Sequence, residues 1–142
     1  MMLKVELDNF DKRQWQEWAR EFSDYNCYQT WAYQEQRAVA DEQEISRAVI
    51  TEEDGRVAAM CQVRIKAVAG FKFGYIQWGP LLRRKPDVEK VSQWGQIIDA
   101  LRETYLGGKV NVLRIVPNLA NDVVGNQFAR ELKKNGFAEV ED

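Results

Sequence analysis

Histidine is absent from this chain of 142 residues. That absence removes Ser-His-Asp triads, Cys-His pairs and histidine-ligated metals together. Cysteine is nearly absent: Cys27 and Cys61 stand alone, with no CxxC spacing. They point to neither a metal site nor a disulfide framework, and both read as thiols of a cytosolic protein. A reactive cysteine here would need activation by Lys, Arg or a helix N-terminus in place of histidine. No apolar run approaches the roughly 20 residues of a membrane-spanning helix, and the N-terminus carries no signal-peptide pattern. No membrane insertion is expected, and the location is expected to be cytoplasmic. An excess of one charge is also missing, since 20 basic residues meet 22 acidic ones for a net charge of −2. That balance argues against general electrostatic capture of nucleic acid. No Gly-rich fingerprint follows a strand, which weakens the case for an unrelated nucleotide binder. Internal repeats, low-complexity segments and linkers are absent as well.

What the chain does have is a large apolar and aromatic content, 45% hydrophobic with five Trp, five Tyr and six Phe. That is enough for one cored domain, with aromatics to spare for a cleft. A short strand at 3–7 precedes a helix at 12–22, capped by Asp8 or Asp11, with Trp15, Trp18, Ala19 and Phe22 at helical spacing. A second helix runs from Trp31 to about Ala40 with Thr30 as N-cap. Three strand-like runs follow at 45–51, 57–67 and 71–78, the first pair joined by Glu53-Asp54-Gly55 and the second by Ala69-Gly70. In the middle run, Val57, Ala59, Cys61, Val63 and Ile65 share one face and Gln62, Arg64 and Lys66 the other. This alternation predicts one buried face and one that is wet or lines a cleft. The run Gly79–Pro86 and the basic cluster Arg83-Arg84-Lys85 read as a loop, either solvated or contacting phosphate. A helix at 88–105 stops at Gly107-Gly108, a strand at 110–116 stops at Pro117, and a polar loop covers 118–122. The last helix, 123–135, closes on Gly136, and 137–140 offers the start of one more strand.

An antiparallel meander followed by alternating helix and strand, with an ending Glu131-Leu132-Lys133-Lys134-Asn135-Gly136-Phe137, resembles the N-acetyltransferase-like (GNAT) superfamily. The resemblance implies an α+β fold with a mixed, mainly antiparallel sheet and helices on both faces. Two departures bear on activity. The place where many acetyltransferases carry a tyrosine general acid holds Leu132. The coenzyme A phosphate loop, Gln/Arg-x-x-Gly-x-Gly/Ala in the family, corresponds to Gly79–Pro86, with one Gly and two Pro. Proline offers no N–H to a phosphate. No cofactor is therefore expected. The segment Tyr28-Gln29-Thr30-Trp31-Ala32-Tyr33-Gln34-Glu35-Gln36-Arg37, with the later Trp78-Gly79-Pro80, resembles the N-terminal half of Fem-type aminoacyltransferases. Those bacterial enzymes build peptidoglycan cross-bridges from aminoacyl-tRNA with two tandem halves. Tyr33 replaces a Trp of that pattern and Arg37 a Lys, so an aromatic and a cation are kept.

The resemblance implies one GNAT-like half-domain over 1–142, stopping where the sixth strand would start, with Tyr28, Gln29, Arg37, Trp78 and Arg83 binding the substrate. Arginine suits phosphate because its fork pairs two oxygens. The implied partners are a second GNAT-like half, or a homodimer through the open sheet edge. An aminoacyl-tRNA or a cell-wall precursor would be the ligand. No catalytic base is assigned. The competing reading is a non-catalytic binding or assembly module on the same fold.

Overall fold

The computed structural model describes residues 2–83, 93–118 and 123–140. Five strands form one sheet in the order β1 (Lys4–Leu7), β2 (Glu44–Thr51), β3 (Val57–Val68), β4 (Phe71–Gln77) and β5 (Val112–Val116). The first four strands pair antiparallel, and β4 pairs β5 parallel. This is the mixed, mainly antiparallel sheet that the meander implied. Among the described residues four α-helices accompany the sheet: α1 (Lys12–Ala19), α2 (Trp31–Ala40), α3 (Trp94–Leu106) and α4 (Val123–Lys134).

Local chemistry sets the helix ends. Asp11 accepts from the Gln14 N–H while the Gln14 side chain accepts from the Asp11 N–H, a reciprocal box that starts α1. Thr30 accepts from the Tyr33 N–H to start α2. Helix α4 ends with Gly136 at φ 89°, the Phe137 N–H bonding to Leu132 and the Gly136 N–H to Lys133. That double closure is the Schellman ending, and its left-handed residue favours glycine.

The two faces of the sheet are covered differently. On one, Ala48, Ala59, Cys61, Val63, Ile65 and Ile76 pack against Ile97, Ile98, Leu101 and Tyr105 of α3 and Phe128 of α4. On the other, Val49, Val57 and Met60 meet Trp15, Ala19 and Phe22 on and just beyond α1. Helix α2 and a 3-10 turn at Cys27–Gln29 lie beyond α1 on this second face.

Three expectations need correction. Helix α1 stops at Ala19 rather than Phe22, because Ser23 turns to bond the Arg83 carbonyl through its N–H (2.7 Å) and hydroxyl (2.8 Å). Residues 137–140 form no strand; Phe137 instead packs against the α3–α4 core. The polar face of β3 is not wet at Gln62 and Arg64, which are 0% and 5% exposed. The 3-10 turn and α2 cover them and supply amide partners. The basic residues Arg84 and Lys85, the start of the helix expected from 88, and most of the loop expected at 118–122 lie outside the described residues.

Candidate functional site

The site begins with a fault in a strand ladder. Arg64 of β3 pairs with Tyr75 of β4, and that register would place Gln62 opposite Gln77 and Met60 opposite Gly79. Met60 pairs instead with Leu81, through mutual backbone bonds of 3.2 and 2.8 Å. Two extra residues are therefore looped out of the β4 side, and the ladder splits at Gln77.

The side chain of Gln29 fills the split. Its Nε2 donates to the Gln77 carbonyl at 2.7 Å, and its Oε1 accepts from the Gln62 N–H at 3.0 Å. The primary amide thus replaces a peptide group as a rung between β3 and β4. Gln62 reciprocates: its Nε2 donates to the carbonyls of Gln29 and Thr30 at 2.8 and 3.0 Å. Gly79 makes room for this, since a Cβ there would lie 3.0 Å from Gln29 Cδ. Expected among the substrate-binding residues, Gln29 is fully buried and every one of its side-chain bonds goes to the backbone of the ladder. Its side chain builds the ladder on which the shelf rests.

The split turns Trp78 outward. Strict alternation would put Trp78 beside Ile76 in the α3 core, but its φ of 54° reverses its direction. The ring is 37% exposed and stacks on Tyr28, with centroids 5.8 Å apart and planes 19° apart. Tyr28 in turn meets Tyr33 edge-on at 5.2 Å. Asn26 Nδ2 holds the Trp78 carbonyl at 3.0 Å. Three segments thereby converge on one aromatic shelf: the 3-10 turn, the first turn of α2 and the looped-out residues after β4. Offset aromatic stacks of this kind contribute about 0.5–1.5 kcal/mol beyond area burial.

Arginines border the shelf. Arg64 Nη1 donates to Gln34 Oε1 (2.8 Å) and Gln77 Oε1 (2.9 Å), and its Nε donates to Gln43 Oε1 (3.0 Å). Burial lowers the Arg64 pKa, and the charge of Arg37 lowers it further. Arg37, one turn along α2 from Tyr33, is half exposed and pairs with Asp41 at 3.0 Å. Arg37 and Trp78 therefore belong to the same face of the sheet, linked through Tyr33, Tyr28 and the Arg64–Gln77 bond. Deeper, Arg47 lies 3.3 Å over the Trp31 ring and donates to Gln62 at 2.8 Å. Its pKa falls to about 10, chiefly from burial, with Glu35 and Asp8 opposing the shift.

Arg83 sits where the chain leaves the split. Its N–H and that of Leu82 donate to the two oxygens of Asp24, at 3.2 and 2.9 Å, while the Leu81 N–H donates to Met60. Burial raises the Asp24 pKa against the lowering effect of these two N–H bonds. This stretch coincides with the loop that would cradle coenzyme A phosphates. Pro80 has no N–H, and the three that follow are already taken, two of them by a carboxylate. The described part of the loop therefore does not fit a pyrophosphate. Leu132 likewise packs against the core. Among the described residues, no group of three or more His, Cys, Asp or Glu side chains is placed to hold a metal.

The sequence singled out Tyr28, Trp78 and Arg37 and missed the part played by Arg64, Gln77 and Gln34. Alternation placed Gln62 and Arg64 on one face of β3, but nothing in the pattern showed that amides would cover them.

No protein-family model and no curated protein matches this chain. The backbone, by contrast, is shared with solved structures. FemX superimposes with a TM-score of 0.71 at 18% identity, over 92% of this chain and 31% of FemX. The chain has the GNAT fold. An acetyltransferase of Trypanosoma brucei matches with a TM-score of 0.59 and 15% identity, over 99% of this chain and 96% of that one. The aminoglycoside 6'-N-acetyltransferase AAC(6')-Ih of Acinetobacter baumannii gives 0.58 and 13%, over 99% and 94%. The GNAT domain described here thus spans about a third of FemX and nearly all of the two acetyltransferases. Among the described residues, none of its helices is long and apolar enough to cross a membrane.

Proposed function

We propose that this chain is an acyl- or aminoacyl-transferase-like domain of the Fem type that binds an anionic acceptor on the Tyr28–Trp78 shelf. The observation that carries this reading is the split ladder. A buried glutamine replaces a backbone rung, and the tryptophan that follows leaves the core and stacks on Tyr28. The shared backbone with FemX supports it, as does the sequence pattern from Tyr28 to Arg37 that brought the same residues forward.

Transfer on a GNAT fold requires little side-chain chemistry: an amine is held against an activated acyl carbon, and a base takes its proton. In this chain the shelf and Arg37 would orient the acceptor, and Arg83 lies at the mouth of the split. Acetyl-coenzyme A is not the expected acyl donor, since in the described part of the loop Asp24 already accepts from the Leu82 and Arg83 N–H groups. An aminoacyl-tRNA fits the Fem-type reading, with a cell-wall precursor as acceptor.

A non-catalytic binding module is the second reading, favoured by Leu132 standing in the place of the general acid. Either way, a partner is expected at the sheet edge. Among the described residues β5 is an edge strand, and its Val112 joins Val68, Phe71 and Phe73 in an exposed apolar strip. A second GNAT-like half or a second copy of the chain would cover that strip, and sedimentation velocity distinguishes the two. Thermal-shift and calorimetric titrations with acetyl-coenzyme A, an aminoacyl-tRNA mimic and a cell-wall precursor test the reading, because a ligand of the native state raises its melting temperature. The precursor should bind; binding of acetyl-coenzyme A alone would overturn the proposal.

A further inference from the structure

Arg64 carries a charge that no carboxylate among the described residues pairs with. The residue is 5% exposed, yet its three bonds all go to neutral amide oxygens, and no carboxylate lies within ion-pair distance among the described residues. Its remaining nitrogen, Nη2, has no protein acceptor among them, and it is not sealed from the surface. Of the charged side chains that act on Arg64, Arg37 outweighs Asp41. Arg37 acts on Arg64 as a like charge. Arg64 lies 5.2 Å from the Tyr75 ring centroid. Arg37 is offset by Asp41, and that carboxylate affects Arg64 least of the groups around it.

A buried cation without a counter-ion is costly, and folded proteins keep such groups paired. Gln34, Gln43 and Gln77 fix the orientation of this guanidinium without quenching its charge. We propose that Arg64 is an oxyanion-binding residue, taking a carboxylate or phosphate oxygen of a ligand on Nη2, beside Tyr75 and below the Tyr28–Trp78 shelf. This deepens the acceptor-site reading by naming the group that the ligand must present. Gln34, Gln43 and Gln77 are positioning residues for it.

The test follows the Arg64 Nε–H resonance in the intact protein while inorganic phosphate, pyrophosphate or acetate is added. The first two represent a phosphate source and the third a carboxylate. A saturable shift with any of them supports the proposal, and the strongest of the three names the source. Arg64→Gln should weaken that binding at least tenfold, and Arg64→Lys should restore part of it. An unmoved resonance at saturating concentrations of all three probes would overturn the proposal, as would unchanged binding in a folded Arg64→Gln protein. The resonance test needs no variant, so it stands even if the substitution prevents folding. Trp78→Ala separates this inference from the wider reading: it should reduce binding of a cell-wall precursor and leave the phosphate-induced shift of Arg64 in place. Precursor binding unchanged by Trp78→Ala, with the Arg64 shift present, overturns the wider reading alone; precursor binding reduced by Trp78→Ala, with no Arg64 shift even in the wild-type protein, overturns this inference alone.

Discussion

Replacing Gln29 by Ala removes a rung rather than a contact. The Gln62 N–H and the Gln77 carbonyl, bonded at 3.0 and 2.7 Å, both lose their partner inside the protein. Each buried polar group left unmet costs about 1–3 kcal/mol. The emptied volume of a fully buried side chain adds a cavity contribution. Together these give a destabilisation of about 3–5 kcal/mol. A domain of mid-range stability, about 10 kcal/mol, remains folded at 25 °C but melts lower, by about 2–4 °C for each kcal/mol. Gly79→Ala approaches the same rung from the other side. Its Cβ would stand 3.0 Å from Gln29 Cδ and 3.1 Å from Nε2, an overpacking cost of about 1–3 kcal/mol. The two changes should couple, because the double variant no longer holds the side chain that clashes. Urea denaturation of the four proteins, followed by far-UV circular dichroism and tryptophan fluorescence, measures the cycle. A coupling of at least about 0.5 kcal/mol is expected, with the double variant more stable than the sum of the singles predicts. A loss below about 0.5 kcal/mol for Gln29→Ala, the size of an ordinary surface change, would refute the rung.

Arg37→Ala removes a partly exposed ion pair, so stability should change by no more than about 0.5 kcal/mol while calorimetric affinity for an anionic acceptor falls. Native-state alkylation followed by mass spectrometry should label Cys27, which is exposed, and spare Cys61, which is fully buried with a thiol pushed up to about 12; equal labelling of both would contradict the packing of β3. The same shift fixes a pH dependence. A thiol whose folded pKa lies above its ordinary 9.0 gives stability that is complete below 9.0 and declines as pH rises towards about 12. Buried Tyr105, also shifted upward by burial, acts in the same direction, so unfolding free energies measured from pH 8 to 11 should fall, and fall less steeply in Cys61→Ala.

Much of this fold was legible because local signals agreed with tertiary demand. Thr30 caps α2, Gly55 and Gly70 turn the hairpins, and Gly136 ends α4, each a backbone requirement visible in the residue type. The candidate site was legible only in outline. Tyr28, Trp78 and Arg37 came forward through a resemblance, yet the alternation of β4 runs through Trp78 without a break and hides the bulge. No local pattern reveals that a glutamine 48 residues away accepts the role of a strand neighbour. The same holds for Arg64. Period two placed it opposite the apolar face of β3, and only the lid formed by α2 decides whether that face meets water. The structural part of Gln29 was hidden for the same reason, since a conspicuous polar residue near a helix start serves a ligand and a backbone equally well.

The most direct measurement is side-by-side calorimetry of the wild-type protein with a soluble cell-wall precursor and with acetyl-coenzyme A, repeated on Trp78→Ala. The account predicts binding of the precursor, its loss in the variant, and no binding of acetyl-coenzyme A. An acetyl-coenzyme A dissociation constant at or below about 1 μM, about 8 kcal/mol of binding free energy, would contradict it. So would precursor affinity unchanged by Trp78→Ala.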